Sequence, residues 1–182
     1  MLCKPMVDES VLRNAFMMGA VATSLPIPIL SDIFGRKMFF EVIFVITLII
    51  LFVIYLMTSY DWAIFLMGAL GATLPGRVIV GRIFYIEYTN PSKLDFLMMI
   101  MLVMQPLAVF FIAFYFQFIS KHIEEIQLTF IIIGVFMALF ILVFVPESPK
   151  FLYNKGKHSE ARDTLRAVAS FNEIKNPDEN DE

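Results

Sequence analysis

The chain has 182 residues, 59% of them hydrophobic and 17% charged, with a formal net charge of -3. A soluble domain averages about 45–50% apolar and about 25% charged residues, so this composition, with a mean hydropathy of +0.76, excludes a globular enzyme built on a large core and points to a polytopic membrane protein. There is no basic surplus for nucleic acid, and the single cysteine, Cys3, forbids an intrachain disulfide and argues against a cysteine-based metal site.

Residues 1–10 (MLCKPMVDES) lack the basic start, clean apolar core and small-residue cleavage site of a signal peptide, so none is expected. Val11–Leu30 is the first expected span. Its uncharged part, Ala15–Leu30, is 16 residues long and holds Pro26 and Pro28; Arg13 and Asn14 must sit at the interface. An interfacial or re-entrant segment is the alternative. Met38–Met57 is a clear span of 20 residues with Glu41 near its start, long enough to cross a hydrocarbon core of about 30 Å. After a polar turn at Ser59–Asp61 comes Ala63–Ile86, which contains Gly68, Gly71, Pro75, Gly76, Arg77, Gly81 and Arg82. Asn90–Asp95 breaks the pattern. Phe96–Ile119 is uncharged but includes Gln105, Pro106 and Gln117. Lys121–Glu125 is polar, and Ile126–Val145 is a fifth uncharged run, ended by Pro146.

Beyond it the chain turns polar. Gly156 lies in a turn between Lys155 and Lys157, Ser159 is the expected N-cap, and Ala161, Leu165, Val168 and Ala169 recur at helical spacing, which predicts an amphipathic helix near the membrane surface. The expected organisation is an N-terminal segment (1–10), a five-span transmembrane domain (11–145), a PESP link with the amphipathic helix (146–172) and an acidic disordered tail (173–182). The fold class is all-α membrane: about five transmembrane helices plus one cytoplasmic helix.

Basic residues near span ends set the topology. Arg36, Lys37, Lys93, Lys150, Lys155, Lys157, Arg162, Arg166 and Lys175 fall on one side, and Lys4, Arg13 and Lys121 on the other. The bias puts the loops after the first and third spans, and the C-terminus, in the cytoplasm.

Asp32, Gly35, Arg36 and Lys37 form a tight turn on that side. Gly35 permits a positive φ, and Asp32 sits where a carboxylate can meet the positive end of a neighbouring helix; the plainer reading is a topology marker with a solvated turn. Glu87 and Glu147 are carboxylates at helix ends on the same side, either solvated or paired, with Arg36–Glu87 the best pair. Glu41 and Arg82, each about one turn from the cytoplasmic face, can pair as well. Arg77 lies roughly mid-span, where a lone arginine costs about 2.5–3.5 kcal/mol on insertion scales. It either faces a cavity as an anion-binding charge, snorkels, or meets a carboxylate of another chain. Pro75-Gly76 predicts a local break beside it. Gln105 contacts either a solute or a neighbouring helix. Gly68, Gly71 and Gly76 read as close-packing positions, and the twenty Phe and twelve Met as lipid-facing bulk. His122 and His158 lie in polar loops on opposite sides, and the sequence offers no carboxylate pair, nucleophile elbow or phosphate loop. No enzyme chemistry, cofactor or metal is expected.

Pro146–Asn172 (PESPKFLYNKGKHSEARDTLRAVASFN) resembles the link after the sixth transmembrane helix of major facilitator superfamily transporters, with the organic cation/anion transporters and sugar porters closest in look. Two loops agree. Pro28–Lys37 (PILSDIFGRK) is similar to the family's G-x-x-x-D-R-x-G-R-R/K turn in Asp32, Gly35, Arg36 and Lys37, but departs at Pro28 and Ile33. Tyr85, Ile86, Glu87, Thr89, Pro91 and Lys93 match the loop after helix 4 in type, without its final Arg. Gln127 also resembles the organic-ion branch.

The resemblance implies that the five spans correspond to helices 2 to 6 of a fold with twelve helices in two halves and substrate between them at mid-membrane. It implies a carrier of small organic solutes, organic ions or sugars, working by alternating access. Arg77 and Gln105 would face the path, while Asp32, Gly35, Arg36, Lys37, Glu87 and Glu147 would form the cytoplasmic gate and its ion pairs. The first helix and second half have no counterpart here, so the expected partners are the lipid bilayer, a small organic solute, and other membrane subunits or a second half. The alternative is a non-transporting structural subunit of a larger membrane complex.

Overall fold

Apolar runs of about 20 residues have one stable form in hydrocarbon, a helix that satisfies its own backbone. A computed structural model describes residues 6–57, 59–89 and 93–171, and its regular elements there are all helical. The acidic tail expected at 173–182, Asn172 and the first half of the Asn90–Asp95 break lie outside the described residues.

α1 (Met6–Thr23) and α2 (Pro26–Phe34) meet at a 50° bend, so the first expected span, Val11–Leu30, is a bent helix pair, the form of a broken span or of the re-entrant alternative. The cause is local. Pro26 cannot donate to the preceding turn, but it starts a new helix without loss, since the first helical N–H has no partner anyway. α3 (Arg36–Leu56) follows after Gly35 alone, whose φ of 111° only glycine adopts easily. α4 (Tyr60–Pro75), a π-helical turn (Gly76–Val80) and α5 (Gly81–Tyr88) run together as one apolar rod over Asp61–Tyr88. α6 (Leu94–Phe118) and α7 (Ile123–Phe144) are each unbroken. Four helices are thus long and apolar enough to cross a membrane, or five if α1 and α2 count as one span.

Instead of the one surface helix expected, two appear. α8 (Pro149–Asn154) is capped by Ser148, whose Oγ accepts from Phe151 N–H at 3.4 Å. After Gly156, at φ 76°, α9 (His158–Phe171) begins one residue before Ser159, so Ser159 is not its N-cap. Lys157 precedes the first helical residue, and its Nζ donates to Glu160 Oε1 at 3.0 Å.

Between helices in lipid there is little hydrophobic drive, so close backbone approach and hydrogen bonds decide which helices pair. The tightest contact joins α1 to α4. A Cβ on Gly71 would fall on the Phe16 carbonyl, and one on Gly19 would strike the Gly68 carbonyl. Thr23 Oγ1 seals the crossing with a 2.9 Å bond to Ala72 O. α3 packs on the rod through Ile43 against Gly76 and Phe40 against Gly81, around fully buried Val80. It meets α7 where Leu48 covers Gly134 and Gln127 Nε2 donates to Leu51 O at 3.0 Å. α6 contributes no buried residue.

This packing separates three glycines. Gly71→Ala meets rigid backbone and should cost about 1–3 kcal/mol. At Gly68 the nearest outside atom to an added Cβ is Ala15 O at 3.6 Å, ordinary contact, so Gly68→Ala should hold or gain up to about 1 kcal/mol from helix propensity. Gly134→Ala should fall between, because the Leu48 side chain can turn away. Thermal unfolding in mild detergent checks the order; equal losses at Gly68 and Gly71 would contradict the α1–α4 contact.

Candidate functional site

One end of the bundle gathers three chain segments: the turn between α2 and α3, the end of α5, and the link from α7 to α8. Arg36 Nη1 pairs with Glu87 Oε1, the two side chains 20% and 10% exposed, and Arg36 Nη2 reaches Asp32 Oδ1 at 3.1 Å, where Asp32 is 61% exposed. The Glu87 pair is the shielded one and dominates; the Asp32 pair is surface-like and contributes about 0–1 kcal/mol. Fully buried Ser148 donates from Oγ to Glu87 Oε2 at 2.5 Å while capping α8. One hydroxyl therefore closes the pair and starts the next helix.

Glu147 does something else. Its Oε1 accepts from the backbone N–H of Lys37 at 2.9 Å, in the first turn of α3. A carboxylate there satisfies a donor that the helix leaves open and meets the positive end of its dipole. That role was expected of Asp32; in the structure Asp32 pairs with the Arg36 side chain and Glu147 takes the helix end. Lys37 Nζ extends to Leu142 O at 3.2 Å, and Tyr88 OH donates to Pro146 O at 2.5 Å. Gly35 lies under Glu147 and Phe151, 3.4 Å and 3.5 Å from where a Cβ would be. Sequence reasoning missed Ser148 and Tyr88. Ser148 had a signal, since Ser before Pro is the pattern of an N-cap followed by the first helical residue. Tyr88 had none.

From this end a groove of about 830 Å³ runs between the lower rod, α6 and α7, with Phe40 of α3 beside it. It brings Arg77 and Gln105 together and adds Arg82, Tyr85 and Tyr88, while most of the remaining lining is apolar. No described carboxylate lines it. Arg82 Nη2 donates to Gln105 Oε1 at 3.4 Å, so the expected Glu41–Arg82 pair gives way to a contact across the groove. Arg77 Nε is buried and has no hydrogen-bond partner among the described residues.

The expected break at Pro75-Gly76 is a π-helical turn instead. Pro75 removes one backbone donor, and the wider turn absorbs the mismatch without interrupting the rod. It has a second effect. Five residues of pure α-helix turn by about 500°, which would leave Arg77 and Arg82 about 140° apart. A turn closed by i→i+5 bonding carries about one extra residue, so both arginines reach the same groove.

The family model of the Major Facilitator Superfamily matches residues 10–177. The chain belongs to the major facilitator superfamily. A search of curated proteins finds no match. Membership, together with four to five helices able to span, makes this an integral multi-pass membrane protein of a transporter family. In this superfamily chain the polar cluster at one end and the groove leading from it both set charged side chains against apolar helices.

The cluster makes a measurable claim. Arg36→Ala and Glu87→Ala should couple by about 1–2 kcal/mol in a double-mutant cycle on detergent stability. Ser148→Ala should cost about 1–3 kcal/mol, since it removes both the cap and the donor to Glu87. Additive losses for Arg36 and Glu87 would mean two solvated charges.

Proposed function

We propose that this chain takes part in moving a small organic solute by alternating access, with the three-segment cluster as a gate on the cytoplasmic face. Asp32, Gly35, Arg36, Lys37, Glu87 and Glu147 form the gate; Arg77 and Gln105 face the solute path. The observation that carries this reading is the placement of the Arg36–Glu87–Ser148 tie at the mouth of a groove lined by Arg77, Arg82 and Gln105. A polar tie of this kind has two states, made and broken, and its partners lie on separate segments that can move apart. Two arginines without a facing carboxylate favour an organic anion over a cation or a neutral sugar. The family architecture places the other wall of the path on a second half, on this or another polypeptide.

Membranes bearing the chain, offered labelled organic anions, organic cations and hexoses, test the reading. Saturable uptake of the anions is expected. Arg77→Leu should lower it at least about tenfold with an unchanged elution profile, whereas Glu87→Gln should change the rate and spare solute binding. Uptake no better than in empty membranes across the panel, or full uptake by Arg77→Leu, would refute it. The same reading puts 146–182 in the cytoplasm, so protease outside sealed, cytoplasm-inside vesicles should leave that stretch intact.

A further inference from the structure

We infer that Tyr88 is the positioning residue through which an anion in the groove opens the gate: its one phenolic hydrogen bond goes either to the link between α7 and α8 or to the solute. The inference rests on the reading of the groove as a solute path and names how that path is coupled to the gate.

The link, Val145 to Ser148, has no helix of its own. Three bonds to three successive residues hold it. Tyr88 OH donates to Pro146 O at 2.5 Å, Glu147 Oε1 accepts from Lys37 N–H at 2.9 Å, and Ser148 Oγ donates to Glu87 Oε2 at 2.5 Å. Glu87 and Tyr88 are consecutive at the end of α5, and consecutive helical residues point about 100° apart. Glu87 therefore turns to the ion pair with Arg36 while Tyr88 turns to the groove. Of the three bonds, only that of Tyr88 comes from a residue that also lines the groove, and Val145, next to its acceptor, lines the groove as well.

The Tyr88 ring is steadied by its neighbours. It meets Phe84 edge-on at 5.2 Å, and Phe84 stacks with Phe40 at 6.5 Å. A held ring leaves the hydroxyl to choose its partner. A phenol has one proton to donate, so it cannot serve Pro146 O and a solute at once. A hydrogen bond to an ionised acceptor is about twice as strong as one to a neutral carbonyl. Arg77 and Arg82 favour an anion in this groove, and an anion that reaches Tyr88 takes the hydrogen bond from Pro146 O. The link then loses the first of its three ties, and Glu147 and Ser148, one and two residues on, are freer to leave Lys37 and Glu87. A neutral solute lacks the acceptor strength to displace the carbonyl. Every group in this exchange except the solute belongs to the chain's own helices and link, so the coupling does not depend on what forms the facing wall.

Hydrogen exchange tests this, on the chain purified with any chains that accompany it and returned to dioleoyl phosphatidylcholine vesicles. The Lys37 amide reports the hold of Glu147, and the Phe151 and Leu152 amides, which bond to Ser148, report the start of α8. The probes, at saturation, are benzoate and 2-naphthoate, with benzamide and 2-naphthamide as neutral twins. Each anion should speed exchange at both places at least about threefold, and the neutral twins should not. Tyr88→Phe keeps the ring and removes only the hydroxyl. It should exchange fast without solute, still bind the anions, and show no further response to them. Tyr85→Phe, at the other groove tyrosine, should respond as the unaltered chain does. A Tyr88 that merely supports the fold would shift the resting exchange and leave the anion response in place. An anion response retained in Tyr88→Phe, loss of anion binding in that variant, or anions that bind the unaltered chain without moving its exchange would overturn this inference and spare the solute path. Failure of both anions to bind, or binding unchanged by Arg77→Leu, would overturn the solute path and this coupling with it.

Discussion

The arrangement depends on one shielded ion pair, Arg36 with Glu87, and on what is built around it. Arg36 is in the first turn of α3, and Glu87 is near the end of α5. Ser148 binds the same carboxylate from the far side, and the adjacent Glu147 holds the start of α3 through the Lys37 N–H. Three segments distant in sequence are therefore fixed by two neighbouring residues of one link. In water such a pair would contribute little. Here the flanking helices are apolar, the pair is sheltered, and helix association has no general hydrophobic drive to fall back on. Polar ties then do much of the work that a core does in a soluble domain, and breaking one partner leaves the other exposed to the cost of an unmatched charge.

At the other end of the pairing scale are contacts between backbones. Gly19 and Gly71 let α1 and α4 touch closely enough for Thr23 to bond across. The bundle thus has a dry, close-fitted side formed by α1 and α4, a buried middle around Val80, and a loose side where α6 buries none of its residues against the described helices. The groove lies on the loose side. Rigidity and openness are distributed by residue size: small residues where helices must meet, Met and Phe where they need not.

Much of this was legible in the sequence. The all-α membrane class and the long spans follow from run length alone, because hydrocarbon thickness fixes how many apolar residues are needed. The positions of Arg36 and Glu87 followed from their placement at helix ends on one side. Other features were not legible, for physical reasons. In lipid both faces of a helix are apolar, so sequence periodicity does not say which face packs; nothing in α6 or α7 indicates that Met104 and Met137 line one groove. Pro26 and Pro75 look alike as helix breakers, yet one opens a new helix after a bend and the other is absorbed by a π-helical turn. The difference lies in neighbours, Ile43 and Phe40 of α3, which pack on the rod through Gly76 and Gly81. Asp32 and Glu147 were both near the start of α3 in principle, and only the path of the link shows which carboxylate reaches it.

The π-helical turn also sets the angular phase of the rod. Above it, Gly68, Gly71 and Ala72 must point at α1; below it, Glu87 must point at Arg36. Those two requirements are met together only with the extra residue in place. Loss of one residue between Gly71 and Glu87 would turn the two ends against each other by about 100°, so that a chain satisfying the close contact with α1 would carry its carboxylate away from the cluster. In most membrane helices a one-residue length change is taken up at a loop. Along this rod it would be felt at both ends, so length itself is under constraint, independently of which side chains fill the positions.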